Sequence, residues 1–198
     1  MRLSIQQLHK LWNDKREDFD KYLEGVSATL IEQIDNLSAI ASEFSNFAKM
    51  PDIKPGDTDI VDVVGKCVRL FDGSITYTIS FTSSHEKLIV KSDRDQLSRA
   101  LINIIKNGIQ SIPEDKKGKI QVELEKKDKE VEICVSDNGR GIPTELRPKM
   151  FMPNFTTKTS GMGLGLAIAK NIINQLGGTI RFTTQPGKGT VFTMQFPL

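Results

Sequence analysis

The sequence predicts an α+β fold: a two-layer sandwich in which about five strands form a mixed sheet under about three helices, preceded by a helical hairpin. Three observations predict it. Leu23, Val26, Leu30, Leu37, Ile40, Phe44 and Phe47 recur at alternating steps of three and four, a heptad seam with Gln33 as a polar interruption. After Pro51 the pattern changes to short alternating apolar runs separated by turn residues, which is how strands and hairpins read. Within that second part, helical runs begin behind Asp or Gly and stop at Pro or Gly.

The elements follow in order. Leu3, Ile5, Leu8, Leu11 and Trp12 give a short first helix, closed by the charged run Asp14 to Asp18. A helix from Phe19 to Lys49 would be about 46 Å long. Ile31, Ile34 and Ala41 widen its apolar stripe beyond what the first helix can cover. That predicts a hairpin that dimerises into a four-helix bundle, with a lone helix packed on its own globular domain as the alternative. Met50-Pro51 ends the helix, because the residue before proline is pushed out of the α region. The domains are therefore 1–50, a linker 51–56, and 57–198.

A helix from Asp59 to about Phe71 opens the second domain, capped by Asp57, Thr58 or Asp59. Strands follow at Ile75–Phe81 and Leu88–Lys91. Asp93 or Asp95 caps a helix running to Ile112, stopped by Pro113. Lys119–Glu125 and Glu130–Ser136 form a hairpin with Lys126, Lys127 and Lys129 at its solvated tip. Leu166–Gln175 is helical and ends at Gly177-Gly178. Thr179–Thr184 and Thr190–Phe196 make a last hairpin around Pro-Gly-Lys-Gly.

Bulk properties exclude several classes. The chain's 198 residues suffice for one ordinary domain and an appendage, and 38% hydrophobic with 26% charged residues is a globular composition. The net charge is +2, and Lys and Arg are mixed with Asp and Glu without a basic stripe, so no nucleic-acid partner is expected. Cys67 and Cys134 sit in apolar periodic segments and are expected as buried, reduced thiols of a cytoplasmic protein. No apolar run approaches the ~20 residues that span a bilayer, and Met1-Arg2-Leu3 leads into a polar helix rather than a signal peptide.

Chemistry concentrates between Asp137 and Leu166: D-N-G-R-G-I, then F-M-P-N-F-T-T-K, then G-M-G-L-G-L. No window has the G-x-x-x-x-G-K-[ST] of a P-loop. Gly161 and Gly163 begin a dinucleotide fingerprint, but Leu166 stands where its third glycine belongs. What remains is a nucleotide pocket built from loops. Gly161, Gly163 and Gly165, leading through Met162 and Leu164 to Leu166, let backbone N–H groups approach an anion at a helix start. Asp137, at a strand end, can accept from the exocyclic amine of adenine, which favours ATP over GTP; a turn aspartate is the plain alternative. Lys158, after Thr156-Thr157, is a phosphate clamp or a surface lysine.

On the helix from Asp95, Asn103 and Asn107 are four apart and share a face with Ala100 and Ser111. Two half-buried carboxamides need partners, and they can offer oxygens to a hard cation and amides to phosphate; a structural network is the alternative. Gln110 stands on the same rim and could reach a phosphate or water.

These motifs, in this order and spacing, resemble the ATP-binding domain of bacterial sensor histidine kinases, part of the superfamily with gyrase, heat-shock chaperone and mismatch-repair ATPases. R-L-S-I-Q-Q-L, E-F-S-N-F-A-K-M-P and N-G-I-Q-S-I resemble the nitrogen-regulation type, so the resemblance spans essentially the whole chain. It implies Asn107 as ligand of Mg²⁺ and catalytic residue, with Asn103 beside it near the phosphates. It implies Asp137 for the adenine amine, Gly139, Gly141 and Ile142 for the adenine wall, and Thr190 on the adenine side. Phe151 and Phe155 would anchor a mobile lid, Thr157 and the catalytic Lys158 would approach the phosphates, and Gly161 to Leu166 would close over them.

Gly108 departs from the family's usual alanine, which loosens the helix by roughly 0.5–1 kcal/mol, and Asn154 replaces a common phenylalanine. The family's H-E-x-x-N-P-L phosphoacceptor segment has no match, and Met1-Arg2-Leu3 resembles the part just after it. His9 is followed by Lys10 rather than a carboxylate, and His85 precedes Glu86 in a connecting loop, so neither is expected to be the acceptor. The resemblance implies a homodimer through residues 1–50, a response-regulator receiver domain as partner, a chain that binds ATP without labelling itself, and any inner-membrane attachment upstream. Two other classes stay open: a conformational ATPase, and a non-catalytic nucleotide-binding scaffold. Against the former, no Glu or Asp occurs between Gln96 and Ser111.

Overall fold

A computed structural model describes residues 23–35, 37–38, 53–156 and 162–198. The chain divides into two compact units, Met1–Lys49 and Met50–Leu198. In the first, residues 23–35, 37 and 38 are helical; Val26 is buried, whereas Leu23, Ile31, Ile34 and Leu37 are exposed. The rest of the expected hairpin, His9, and positions 51–52 of the linker lie outside the described residues.

The second unit is the expected α+β sandwich. β1 (Gly56–Asp59) leads into α1 (Ile60–Arg69), β2 (Tyr77–Ser83), β3 (Ile89–Ser92), α2 (Arg94–Ser111), β4 (Gly118–Lys127) and β5 (Glu130–Asp137). A 3-10 turn (Thr144–Lys149), α3 (Gly165–Gln175), β6 (Thr179–Gln185) and β7 (Gly189–Pro197) complete it. The five-stranded sheet has the order β2-β4-β5-β7-β6. β2 pairs parallel with β4, Ile79 opposite Ile120, and the remaining pairings are antiparallel.

Helix starts follow side-chain chemistry. Of the three candidate caps for α1, Asp59 serves: its Oδ1 accepts from Val61 N and Leu88 N, both at 3.2 Å. For α2 it is Asp93, whose Oδ1 accepts from Asp95 N at 3.0 Å and Gln96 N at 3.1 Å. Such oxygens satisfy donors that a helix start leaves orphaned, worth about 1 kcal/mol each. Leu97, Leu101, Ile104 and Ile105 form the fully buried stripe of α2, which packs against α3 over the sheet. Burying such a side chain contributes about 1.5–3 kcal/mol. At the other end of α3, Gly177 N donates to Asn174 O and Gly178 N to Ile173 O, as its glycines suggested.

Two expectations are corrected. Residues 56–59 are not linker and helix start but β1, which pairs antiparallel with β3 as a separate ribbon. The strand expected at Ile75–Phe81 begins at Tyr77, and Ile75 is exposed.

The sheet face away from the helices is polar. Glu132, only 8% exposed there, accepts from Lys127 Nζ at 2.5 Å, Gln195 Nε2 at 2.8 Å and Arg181 at 3.3 Å. Lys127 is thus not simply a solvated tip. Cys134 is half-buried on that face near Thr193 rather than in the core, while Cys67 is buried; both are free thiols. Burial raises both thiol pKa values.

The Lys127 ammonium, opposed by desolvation and helped by Arg181, holds the Glu132 carboxyl below its ordinary 4.5. A depressed acid contributes stability that is full above the ordinary value and lost as pH falls through the lowered one. Glu132→Gln is therefore expected to flatten that part of the acid stability profile. Urea midpoints measured from neutral pH downward check this; a variant profile parallel to that of the parent would refute it.

Candidate nucleotide-binding site

The site is organised around the end of β5. Asp137 Oδ1 accepts from Gly139 N at 2.8 Å, from Ser111 Oγ at 3.0 Å and from Thr190 N at 3.3 Å. These donors come from the following turn, from α2 and from β7, so three chain segments fix one carboxylate oxygen. All three bonds fall on Oδ1. Burial pushes the Asp137 carboxyl above the ordinary carboxylate range, against the lowering effect of these donors and of the nearby Lys116 charge.

Around it stands a second layer that joins the expected Gly141, Ile142 and Thr190 to two residues that sequence reasoning missed, Thr184 and Arg147. Thr184 Oγ1 accepts from Ile142 N at 2.9 Å, donates to Gly189 O at 3.0 Å and lies 3.0 Å from Thr190 Oγ1. Thr190 and Ile142 are buried, and half-buried Gly141 packs its backbone against Gln185. Arg147 Nε, 3.3 Å from Ile142 O, supports the same wall from the 3-10 turn. Thr184 carried no signal because a lone threonine in an alternating strand looks like any outward polar position.

The other end of the site is the start of α3. A Cβ on Gly165 would lie 3.3 Å from Asn103 Oδ1, so Asn103 faces the first residue of that helix. At 1.5 Å per residue, Asn103, Asn107 and Ser111 mark about 12 Å along one face of α2, with Asn107 in the middle. One end of that face touches Asp137 and the other touches the glycine strip. Asn107 is half-buried and Gln110 exposed, and both are engaged in interactions. Gly108 lets α2 approach β5: an added Cβ would meet Ile120 Cδ1 at 3.3 Å and Asp137 Cβ at 3.4 Å.

Met162 and Gly163 are half-buried. Gly163 has φ 67°, and a Cβ there would lie 2.3 Å from Phe155 O, so the chain before α3 folds tightly over Phe155 only because this residue is glycine. Leu164 and Leu166 are buried, so they offer a ligand their backbone rather than their side chains. Phe151 is anchored in an aromatic cluster, 5.8 Å from Phe182 and 6.4 Å from Phe192 between ring centroids, with Lys170 Nζ 5.3 Å over its ring. Thr157, Lys158 and Gly161 lie outside the described residues. Among the described residues no group of three or more His, Cys, Asp or Glu side chains could hold a metal ion, and no helix is long and apolar enough to cross a membrane.

Residues 92–198 match the family model described as "Histidine kinase-, DNA gyrase B-, and HSP90-like ATPase". A putative sensor histidine kinase NtrY-like of Rickettsia conorii is 32% identical over 187 residues, covering 93% of this chain and 30% of that protein. The sensor histidine kinase ZraS of Escherichia coli K12 is 31% identical over 176 residues, covering 87% of this chain and 37% of that protein. The chain thus spans about a third of the length of these curated relatives. Among solved structures, the nucleotide-free catalytic domain of histidine kinase ThkA superposes with a TM-score of 0.66 at 33% identity, covering 73% of this chain and 95% of that one. Histidine kinase ThkA in complex with the response regulator protein TrrA gives a TM-score of 0.71 at 26% identity, over 99% of this chain and 58% of that one.

Proposed function

Because this chain belongs to the family of histidine kinase-, DNA gyrase B- and HSP90-like ATPases, with sensor histidine kinases as its relatives, we propose that it is the ATP-binding core of such a kinase. Residues 57–198 bind ATP, and its γ-phosphoryl passes to a histidine on a dimerisation helix and then to an aspartate of a receiver domain. Residues 1–50 belong to the dimerising helices. The exposed Leu23, Ile31, Ile34 and Leu37 support that reading, since such a stripe is costly to leave in water. Any attachment to the inner membrane lies in the longer protein.

The observation that carries the proposal is the single face of α2 that joins Asp137 to the start of α3. Asp137 Oδ2 accepts the exocyclic amine of adenine, with Gly139, Gly141, Ile142 and Thr190 around the base. The phosphates lie against Asn103, Gln110 and the N–H groups from Gly161 to Leu166, where a helix start favours anions. Thr157 and Lys158 are assigned to the phosphates on the strength of the family motif that they match. The donor set fits Mg²⁺ as this ion is commonly held, by one or two hard oxygens plus substrate phosphates rather than by an all-protein cage. Asn107 supplies the carboxamide oxygen, and the ion, when bound, neutralises phosphate charge. The work of the chain is positioning and charge complementarity, with Lys158 as the catalytic cation.

Thermal unfolding tests binding. Saturating ATP·Mg²⁺ is expected to raise the midpoint, with about 2.7 kcal/mol of stabilisation at a hundredfold excess over Kd, and GTP·Mg²⁺ is expected to do nothing. Transfer is tested with γ-labelled ATP and a histidine-bearing dimerisation helix supplied as a separate polypeptide. An acid-labile, base-stable label on that helix is expected. No stabilisation by ATP sinks the proposal, and steady release of inorganic phosphate without a labelled histidine replaces it with a conformational ATPase.

A further inference from the structure

The turn after Asp137 is gripped from behind by the loop that leaves α2. Lys116 Nζ donates to the carbonyl oxygen of Asn138 at 2.5 Å. Asn138 in turn donates Nδ2 to Lys117 O at 3.1 Å, accepts Lys119 N on Oδ1 at 2.8 Å, and donates its own N–H to Lys119 O at 3.2 Å. At the other end of the loop, Ser111 Oγ holds Asp137 itself. The residue after the carboxylate therefore cannot shift without breaking the loop, and half-buried Lys116 is its clamp.

The surroundings of the carboxylate make Lys116 distinctive. Gly108 and Ser111 from α2, the N–H of Gly139 from the turn, the N–H of Thr190 from β7 and Ile120 opposite on β4 are all uncharged. Among the described residues, Lys116 is the charge that acts on Asp137, and it opposes the effect of burial.

We propose that Lys116 is a positioning residue for purine recognition: pinned to the Asn138 carbonyl, its ammonium fixes the turn from Asp137 to Gly139 and keeps the carboxylate a pure acceptor toward the base. This rests on the reading that Asp137 receives the exocyclic amine of adenine. A protonated Asp137 would present a donor to a donor. The ammonium thus protects recognition twice, by geometry and by charge.

Calorimetric titration of the full chain with ATP·Mg²⁺, at pH values from neutral down through 5, tests the inference. Lys116→Met is expected to bind several-fold more weakly at neutral pH, and to lose binding on acidification at a higher pH than the parent. Lys116→Arg restores both, and Lys116→Gln, which keeps a donor without charge, restores the neutral-pH affinity but not the acid midpoint. Lys116→Met tracing the parental curve, or lying below it by one constant factor at every pH, overturns the inference; the constant factor marks a merely structural role. If the parent shows no ATP binding at any pH, the reading of Asp137 falls first and takes this inference with it.

Discussion

Asp137→Asn is expected to abolish measurable ATP binding while leaving the folded chain no less stable at neutral pH. The amide keeps an oxygen at the Oδ1 position, so the bonds from Ser111, Gly139 and Thr190 survive. At the Oδ2 position of this half-buried side chain it presents N–H groups to the adenine amine, donor against donor. Sites built on such a polar pairing reject the mismatch by about 3 kcal/mol or more, roughly two orders of magnitude in Kd. The stability side follows from burial, which raises the folded pKa of Asp137 above its ordinary 3.8. A raised acid lowers stability at every pH above the ordinary value, and this loss fades as pH falls through the raised one. Removing the charge should thus leave the neutral-pH midpoint equal or higher. A variant that melts well below its parent, or still binds ATP tightly, contradicts the assignment.

Gly189→Ala should damage both fold and site. Gly189 has φ 127°, and a Cβ there would lie 1.9 Å from the carbonyl oxygen of Asp137, a backbone atom that cannot swing aside. The strand pair β5–β7 would have to open where Asp137 faces Thr190, which also breaks the Thr190 N bond to the carboxylate. Backbone strain and overpacking together cost about 3 kcal/mol or more. Gly187 in the same turn is the control: its φ is 77°, but a Cβ would meet nothing within 4 Å. Gly187→Ala should cost only about 1–2 kcal/mol, the price of a left-handed residue with a Cβ. Urea unfolding separates them, and equal losses in the two variants would show that contact with Asp137 is not what makes Gly189 necessary.

Much of the fold was readable because its rules are local. The caps at Asp59 and Asp93, the stripe of α2, the β4–β5 and β6–β7 hairpins and the glycine end of α3 each depend on residues within a few positions of one another. The ribbon of β1 and β3 was not, since β1 is four residues with no alternation and its partner is some thirty positions away. The parallel pairing of β2 with β4 was equally hidden, as a strand's own pattern does not name a distant neighbour. In the site, Asn103, Asn107, Ser111, Asp137 and Thr190 were legible through helix spacing and motif. Lys116, Asn138 and Thr184 were not, because single polar residues in a loop or on an edge strand follow no period. Their weak traces were the lysine run Lys116-Lys117 and the Asn of D-N-G.

The strand order carries a consequence for biosynthesis. β5, which ends in Asp137, lies between β4 and β7, and β7 is made some fifty residues later than β5. On the ribosome, the carboxylate therefore waits without its Thr190 partner, and β5 without one whole neighbour, until residues 189–197 emerge. A nucleotide bound as proposed would meet a complete Asp137 shell only after residues 189–197 have paired with β5.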